Sequence, residues 1–260
     1  MRERCENGKR VVHVVNLDPA AEDREDFWSI DIKNLVSLSD VMEEMNLGPN
    51  GGLLFCMEYL IENMEWFKEE LGEYDDDYLI VDCPGQIELY SHVPVMKKFI
   101  HELQLLGYTV CCVYLLDSQF IEDPSKFVSG MLACLSAMVQ LETPHINVLT
   151  KCDLLGVDLG ADEDDFYVNR YLLPDASELV QESSHKLPPK FREFNSALAS
   201  VIDNFNLISF VPLNITSEDS IDVVLGHIDQ ATQFGEDDEV RDKMPEQEGE
   251  PDDDDDGWVV

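Results

Sequence analysis

Short apolar runs alternate along this chain with longer stretches in which apolar residues return every three or four positions. Residues 11–17, 78–82, 109–117 and 146–150 are rich in β-branched or aromatic side chains and almost continuously apolar, as strands buried on both faces are. A fifth such run lies at 207–213. Between the first two, Leu53, Met57, Leu60, Met64, Phe67 and Leu71 recur at helical spacing, which predicts one long helix over 53–71. Further helices are expected over 87–106, kinked or delayed by Pro94, and over 124–140, 189–204 and 218–234. Strands alternating with helices define an α/β fold with a mostly parallel sheet flanked by helices. The acidic segment 158–165 reads as a surface insertion.

Composition narrows the picture. A chain of 260 residues, 44% of them apolar, suits one domain with a tail. The longest uninterrupted apolar stretch, residues 110–116, falls far short of the roughly 20 residues of a membrane helix. No apolar segment follows the charged N-terminus, so a secretory signal is not expected. The seven cysteines, at 5, 56, 83, 111, 112, 134 and 152, form no Cys-x-x-Cys pair, which favours a reducing compartment over a disulfide or zinc framework. Seventeen basic residues face 55 acidic ones, a net charge of −38. Residues 236–256 hold 13 acids and two bases, leaving 42 acids against 15 bases in the body. Such a body repels a phosphate backbone, so direct nucleic-acid binding is disfavoured. The acidity either suits a basic protein partner or only keeps the chain in solution. Residues 236–260 contain too little apolar content to fold alone and are expected to form an acidic disordered tail behind a domain spanning 1–235.

In open parallel sheets, ligands gather beyond the carboxyl ends of the strands. Asp18 follows the first run, Asp82 ends the second, Asp117 ends the third, and Thr150, Lys151 and Asp153 close the fourth, so these positions are expected to share one rim. An aspartate at a strand-to-helix junction also serves as a helix cap. Tyr78-Leu79-Ile80-Val81-Asp82 is an apolar strand ending in a carboxylate, an arrangement that holds a magnesium-bound water beside a nucleotide triphosphate. Gly85, three residues on, lets its N–H approach a terminal phosphate, and Gln86 follows it. Asp153 can accept two hydrogen bonds from the N1–H and 2-amino group of guanine, which adenine lacks, while Lys151 lays its aliphatic stem along the base. Thr150 stands where an asparagine amide would steady the purine and the loop. Gly48-Pro49-Asn50-Gly51-Gly52 is turn chemistry before a helix, and it displays an asparagine that could place a water or donate to a phosphate oxygen. A phosphate-cradling Gly-x4-Gly-Lys-Ser/Thr segment is absent, since Gly8-Lys9 is followed by Arg10 and Glu3 stands at the first glycine position.

Asn16-Leu17-Asp18-Pro19-Ala20-Ala21, Gly48-Pro49-Asn50, Asp82-Cys83-Pro84-Gly85-Gln86-Ile87-Glu88 and Thr150-Lys151-Cys152-Asp153, in this order, resemble the GPN-loop GTPases. Phe55-Cys56-Met57-Glu58-Tyr59 and Leu116-Asp117-Ser118-Gln119-Phe120 bring the likeness nearest to one of the eukaryotic paralogues, over residues 5–236. The resemblance implies a P-loop NTPase-like fold of the signal-recognition and MinD-like class, GTP and Mg2+ as cofactors, and dimerisation with itself or a paralogue. It implies that Asn50 acts in trans on the partner's phosphate site, with Asp18 and Gln86 among the catalytic residues. Asp18 and Asp82 would hold magnesium, and Gly85, Thr150, Lys151 and Asp153 would hold the nucleotide. It further implies assistance to RNA polymerase II assembly and nuclear import, with a cytoplasmic protein that shuttles to the nucleus. By motif order Met1 falls inside the helix that follows the phosphate loop in that family, so the first strand, the loop, its Lys and its Ser/Thr are expected to be missing. Either the chain is a shortened form of a complete enzyme, or it is a nucleotide-free partner lending Asn50 to an intact paralogue; an acidic chaperone with vestigial motifs is a third reading. The missing strand would be central, so two unpaired sheet edges are expected, and these 260 residues are expected neither to bind GTP tightly nor to hydrolyse it.

Overall fold

Among the described residues six strands, all paired in parallel, form two sheets of three. The computed structural model describes residues 1–24, 27–72, 77–155, 170–184, 189–205 and 208–235. The expected insertion at 158–165 and the tail at 236–260 lie outside them. In the first sheet, β1 (Val12–Asn16) lies between β2 (Ile30–Asp31) and β3 (Tyr78–Asp82). In the second, β5 (His145–Thr150) lies between β4 (Cys112–Asp117) and β6 (Phe210–Pro212). Among the described residues β3 pairs only with β1 and β4 only with β5.

The helices follow the apolar periodicity with some breaks. Helix α1 (Arg2–Asn7) precedes β1, and α2 (Leu38–Glu44) precedes α3 (Pro49–Glu62). The single helix expected over 53–71 starts earlier and is broken: α3 ends at Asn63, whose φ of −116° and ψ of 36° are not helical, and α4 (Met64–Leu71) begins anew. Its side-chain amide donates to the Tyr59 carbonyl at 2.8 Å, which closes the first helix. Pro94 likewise separates α5 (Glu88–Ser91) from α6 (Val95–Leu105), because a proline lacks the N–H that a continuing helix needs. Then come α7 (Pro124–Leu141), α8 (Ala176–Ser184), α9 (Pro189–Phe205) and α10 (Glu218–Thr232).

Helices cover both faces. Val15, Leu79, Val81 and Cys112 pack with α3, α4 and α6 in the largest core, around Met57, Leu60, Phe67 and Phe99. Leu116, Leu149 and Phe210 pack with α7, α8 and α9 around Phe127 and Met131. The other face of both sheets lies under α10. Leu225 and Ile221 meet Val12, Tyr78 and Ile80 of the first sheet, while Val224 and Ile228 meet Val148, Ile146 and Val211 of the second. One helix therefore straddles the break between the sheets.

Candidate functional site

The expected ring of four acidic positions resolves into two half-sites, one per sheet. In the first, Asn16 of β1 stands opposite Asp82 of β3, so the chain leaving β1 carries Asp18 alongside Asp82. The Leu17 N–H donates to the Asp82 carbonyl at 2.8 Å, which extends the ladder to the rim. Asn16 is fully buried, and its amide works in both directions: Nδ2 donates to Asp31 Oδ1 at 2.9 Å, and Oδ1 accepts from the Asp18 N–H at 2.9 Å. Asp18 Oδ1 in turn accepts from the Ala20 N–H at 2.9 Å. Burial of the surrounding atoms first, and then the nearby Asp18 carboxylate, raise the Asp82 carboxyl above the ordinary carboxylate range, although the residue as a whole is open to solvent. Two like charges held close at a strand rim are an arrangement a divalent cation relieves. Among the described residues no group of three or more His, Cys, Asp or Glu could hold a metal alone. Magnesium takes one or two carboxylates and fills its remaining positions with water and phosphate oxygens, so Asp18 and Asp82 are the carboxylates that would hold it.

The second half-site lies where β4 and β5 end. Lys151 adopts a left-handed backbone, φ 59°, which turns the chain sharply after β5. Three bonds hold that turn. Thr150 Oγ1 donates to the Leu116 carbonyl at 3.2 Å, the buried Ser118 hydroxyl donates to the Lys151 carbonyl at 2.9 Å, and Lys151 Nζ meets Asp117 Oδ2 at 2.6 Å. The hydrogen bond from Lys151 holds the Asp117 carboxyl below its ordinary range. Asp153 follows in a short 3-10 turn, exposed, while Cys152 beside it is buried. Thr150 thus steadies the loop through the neighbouring strand, the task assigned above to the absent asparagine amide.

The remaining sequence-predicted residues are placed differently. Gly48, Pro49 and Asn50 are not a loop ahead of a helix; Gly48 is the N-cap and Pro49 and Asn50 are the first two residues of α3 itself, because proline's fixed φ suits a first helical turn. All three are exposed, and Asn50 makes no hydrogen bond to either half-site among the described residues. Gly85 is exposed too, and a Cβ added there would meet nothing within 4 Å. Gln86 is half-buried, and its carbonyl accepts from the Leu89 N–H at 3.2 Å. Sequence reasoning missed Asn16, Asp31 and Ser118 as positioning residues. A polar side chain closing an apolar run, as Asn16 does, is the signal that could have flagged the first.

Comparisons with known proteins agree along the whole domain. A family model described as "Conserved hypothetical ATP binding protein" matches residues 1–234. A protein named "GPN-loop GTPase 3" from Dictyostelium discoideum is 54% identical over 237 residues, covering 91% of this chain and 82% of its own length. The protein of the same name from Schizosaccharomyces pombe is 48% identical over 234 residues, covering 90% of this chain and 84% of its own. That from Saccharomyces cerevisiae is 46% identical over 230 residues, with 87% and 83% covered. The crystal structure of a GTPase in apo form from Pyrococcus abyssi superposes with a TM-score of 0.66 at 21% identity, covering 87% of this chain and 88% of that one, so it shares the fold.

Proposed function

The chain belongs to the GPN-loop GTPase family, and from that premise we propose that it takes part in GTP binding and hydrolysis within a dimer, formed with itself or with a paralogue. The observation that carries this reading is the pair of carboxylates, Asp18 and Asp82, set side by side where two paired strands end. Asp18 and Asp82 hold magnesium, which when bound offsets the negative charge of the phosphate oxygens. Asp153 selects guanine over adenine by accepting from N1–H and the 2-amino group, with Lys151 and Thr150 fixing the loop around it. Gly85 offers its N–H to the terminal phosphate, and Gln86 lies beside it. Asn50, exposed on the first turn of α3, serves the partner's site rather than its own. Following the family resemblance, the partners include RNA polymerase II subunits, and the setting is the assembly and nuclear import of that enzyme by a cytoplasmic, shuttling protein.

The sequence favours a second reading for these 260 residues by themselves. They contain no Gly-x4-Gly-Lys-Ser/Thr segment, and without its amides, Lys and hydroxyl most of the electrostatic support for phosphoryl transfer is gone. On this reading the chain binds GTP weakly, hydrolyses none, and lends Asn50 to a paralogue that carries the loop. The test is steady-state GTP hydrolysis by the chain mixed with such a paralogue. Asn50→Ala is expected to lower kcat by about 10²–10³, the loss seen when one preorganised transition-state contact is removed; an unchanged kcat would remove Asn50 from the chemistry. Calorimetry on the chain alone then separates the two readings, since micromolar or tighter GTP binding would sink the second.

A further inference from the structure

We propose that Arg24 is a phosphate-contacting residue of the first half-site: its guanidinium, set against the Phe27 ring midway between Asp18 and β2, binds the terminal phosphate of the nucleotide whose magnesium Asp18 and Asp82 hold. This role rests on the nucleotide reading above and falls to a residue outside the motifs read from the sequence.

The register of the first sheet brings Arg24 to the rim. β2 runs parallel to β1 and starts level with its end, Val15 opposite Ile30 and Asn16 opposite Asp31, so the chain leaves and rejoins the sheet at the same carboxyl end. That is the end where Asp18 and Asp82 stand. Arg24 is six residues beyond Asp18 and six before Ile30. Backbone and side-chain bonds fix the chain on either side of it. The Ala21 N–H donates to the Asp18 carbonyl at 3.0 Å, and the Ser29 N–H donates to the Val14 carbonyl at 2.8 Å. Lys33 Nζ donates to the Ala21 carbonyl and pairs with Asp23 Oδ1 at 2.7 Å.

The side chain is held without being used up. The Arg24 guanidinium lies 5.5 Å from the Phe27 ring centre, and the Arg2 guanidinium lies 5.6 Å from the same ring. Phe27 is itself fixed: its N–H donates to the Arg24 carbonyl at 3.3 Å, its carbonyl accepts from Arg2 Nη1 at 3.1 Å, and its ring meets Trp28 edge-on at 4.8 Å. Arg2 also binds Glu6 at 2.8 Å, whereas Arg24 is exposed and makes no hydrogen bond or ion pair among the described residues. Its five donors therefore remain for a ligand, and an aromatic ring beside the guanidinium lowers the entropy lost when one binds. Burial and then Asp18 push the Asp82 carboxyl up, and the Arg24 charge acts against them, so the guanidinium and the carboxylate pair share one local field.

Sheet order selects the terminal phosphate. Tyr78 of β3 packs with Cys111, Ile146 and Val148 beside the second sheet, so β3 is the strand of the first sheet nearest to it and β2 the farthest. A nucleotide with its base at Asp153 in the second half-site runs its phosphates toward Asp82 and Asp18, and Arg24, on the β2 side, meets the far end of that chain. Magnesium by itself leaves a triphosphate with excess negative charge, and a planar guanidinium matches two oxygens of one phosphate. A diphosphate lacks that last group. Arg24 therefore discriminates GTP from GDP, a distinction that Asp153, which reads only the base, cannot make.

The experiment uses the full chain with Mn2+ in place of magnesium, because bound Mn2+ is read directly by electron paramagnetic resonance. Saturable Mn2+ uptake that Asp82→Asn abolishes is expected, and it checks the carboxylate pair without any nucleotide. Tripolyphosphate is then titrated into the Mn2+-loaded chain. Arg24→Ala is expected to weaken its binding about tenfold, the loss of one charge-assisted contact, and Arg24→Lys about threefold, because an ammonium keeps the charge but not the fork. Mn2+ uptake without phosphate is expected to tighten slightly in Arg24→Ala, and the melting temperature to stay the same, because the side chain is exposed. Calorimetry with the magnesium complexes of GTP and GDP is expected to show an approximately tenfold loss for GTP and less than about twofold for GDP. Equal tripolyphosphate affinity in the parent chain and Arg24→Ala, with Mn2+ still bound at Asp82, would overturn the role of Arg24 and leave the nucleotide reading standing. Equal losses for GTP and GDP, or no tripolyphosphate binding by the parent chain at millimolar concentration, would overturn it too. Mn2+ uptake that survives Asp82→Asn would instead remove the metal site on which both rest.

Discussion

His145 opens β5 with both ring nitrogens buried and unpartnered, and its ring lies 6.2 Å from that of Tyr114. Burial pushes the imidazole down from an ordinary 6.5 to about 4. Between those two values the unfolded chain takes up a proton that the folded chain refuses, so folding stability falls as pH drops through that window and levels off below about 4. The loss amounts to as much as about 3 kcal/mol. His145→Phe, which keeps the aromatic bulk and removes the titration, is expected to flatten the dependence of the urea midpoint on pH between 6.5 and 4 relative to the parent chain. A parallel pair of curves would show that the ring finds a proton acceptor after all. Two other buried polar side chains are satisfied: Asn147 accepts from Cys134 at 2.6 Å and donates to the Ser209 carbonyl at 3.2 Å, holding α7 and β6 to β5. Asn16 does the same for β1 and β2.

The junction of α2 and α3 shows how closely the elements approach. A Cβ at Gly52 would come within 2.9 Å of Met42 Cγ and 3.0 Å of Leu38 Cδ1, so glycine sets the distance between the two helices. Gly51, one residue earlier, faces only Leu47 at an ordinary 3.6 Å. Gly52→Val is expected to destabilise by about 1–3 kcal/mol through overpacking, whereas Gly51→Ala is expected to stabilise by about 0.4–1 kcal/mol by restricting the unfolded chain; thermal melts of the two variants check both signs. Much of this element layout was legible in the sequence. The long apolar runs gave β1, β3, β4 and β5 because strands buried on both faces leave a strong composition signal. Two residues of β2 leave no period to detect, and the break at Asn63 has neither proline nor glycine to announce it. The strand ends put Asp18, Asp82, Asp117 and Asp153 on carboxyl-terminal rims, as the sequence implied. Their separation into two half-sites was hidden, because it depends on which strands pair, and that is decided by contacts between residues far apart in the chain.

Across the molecule, the first and last described helices are fastened to one another and to the sheets. Arg4 pairs with Asp222 and with Glu218, and Arg10 makes a two-pronged bond to Asp229 at 2.6 and 2.8 Å while lying 4.7 Å from the Phe234 ring centre. These attractive pairs stand against 55 acidic and 17 basic residues, so repulsion outweighs them over the whole surface. Added sodium chloride is therefore expected to raise the urea midpoint, because screening weakens the long-range repulsion more than these close, partly buried pairs; a midpoint that falls with salt would mean the pairs dominate. The same charge has a protective side. The exposed Val113 and Leu115 beside the β4 edge, which has no ladder partner among the described residues, favour intermolecular stacking into aggregates, and mutual repulsion between chains of net charge −38 opposes it. Acidification removes that guard as the carboxylates protonate, so the colloidal lifetime of the protein is set by its surface aspartates and glutamates as much as by its core.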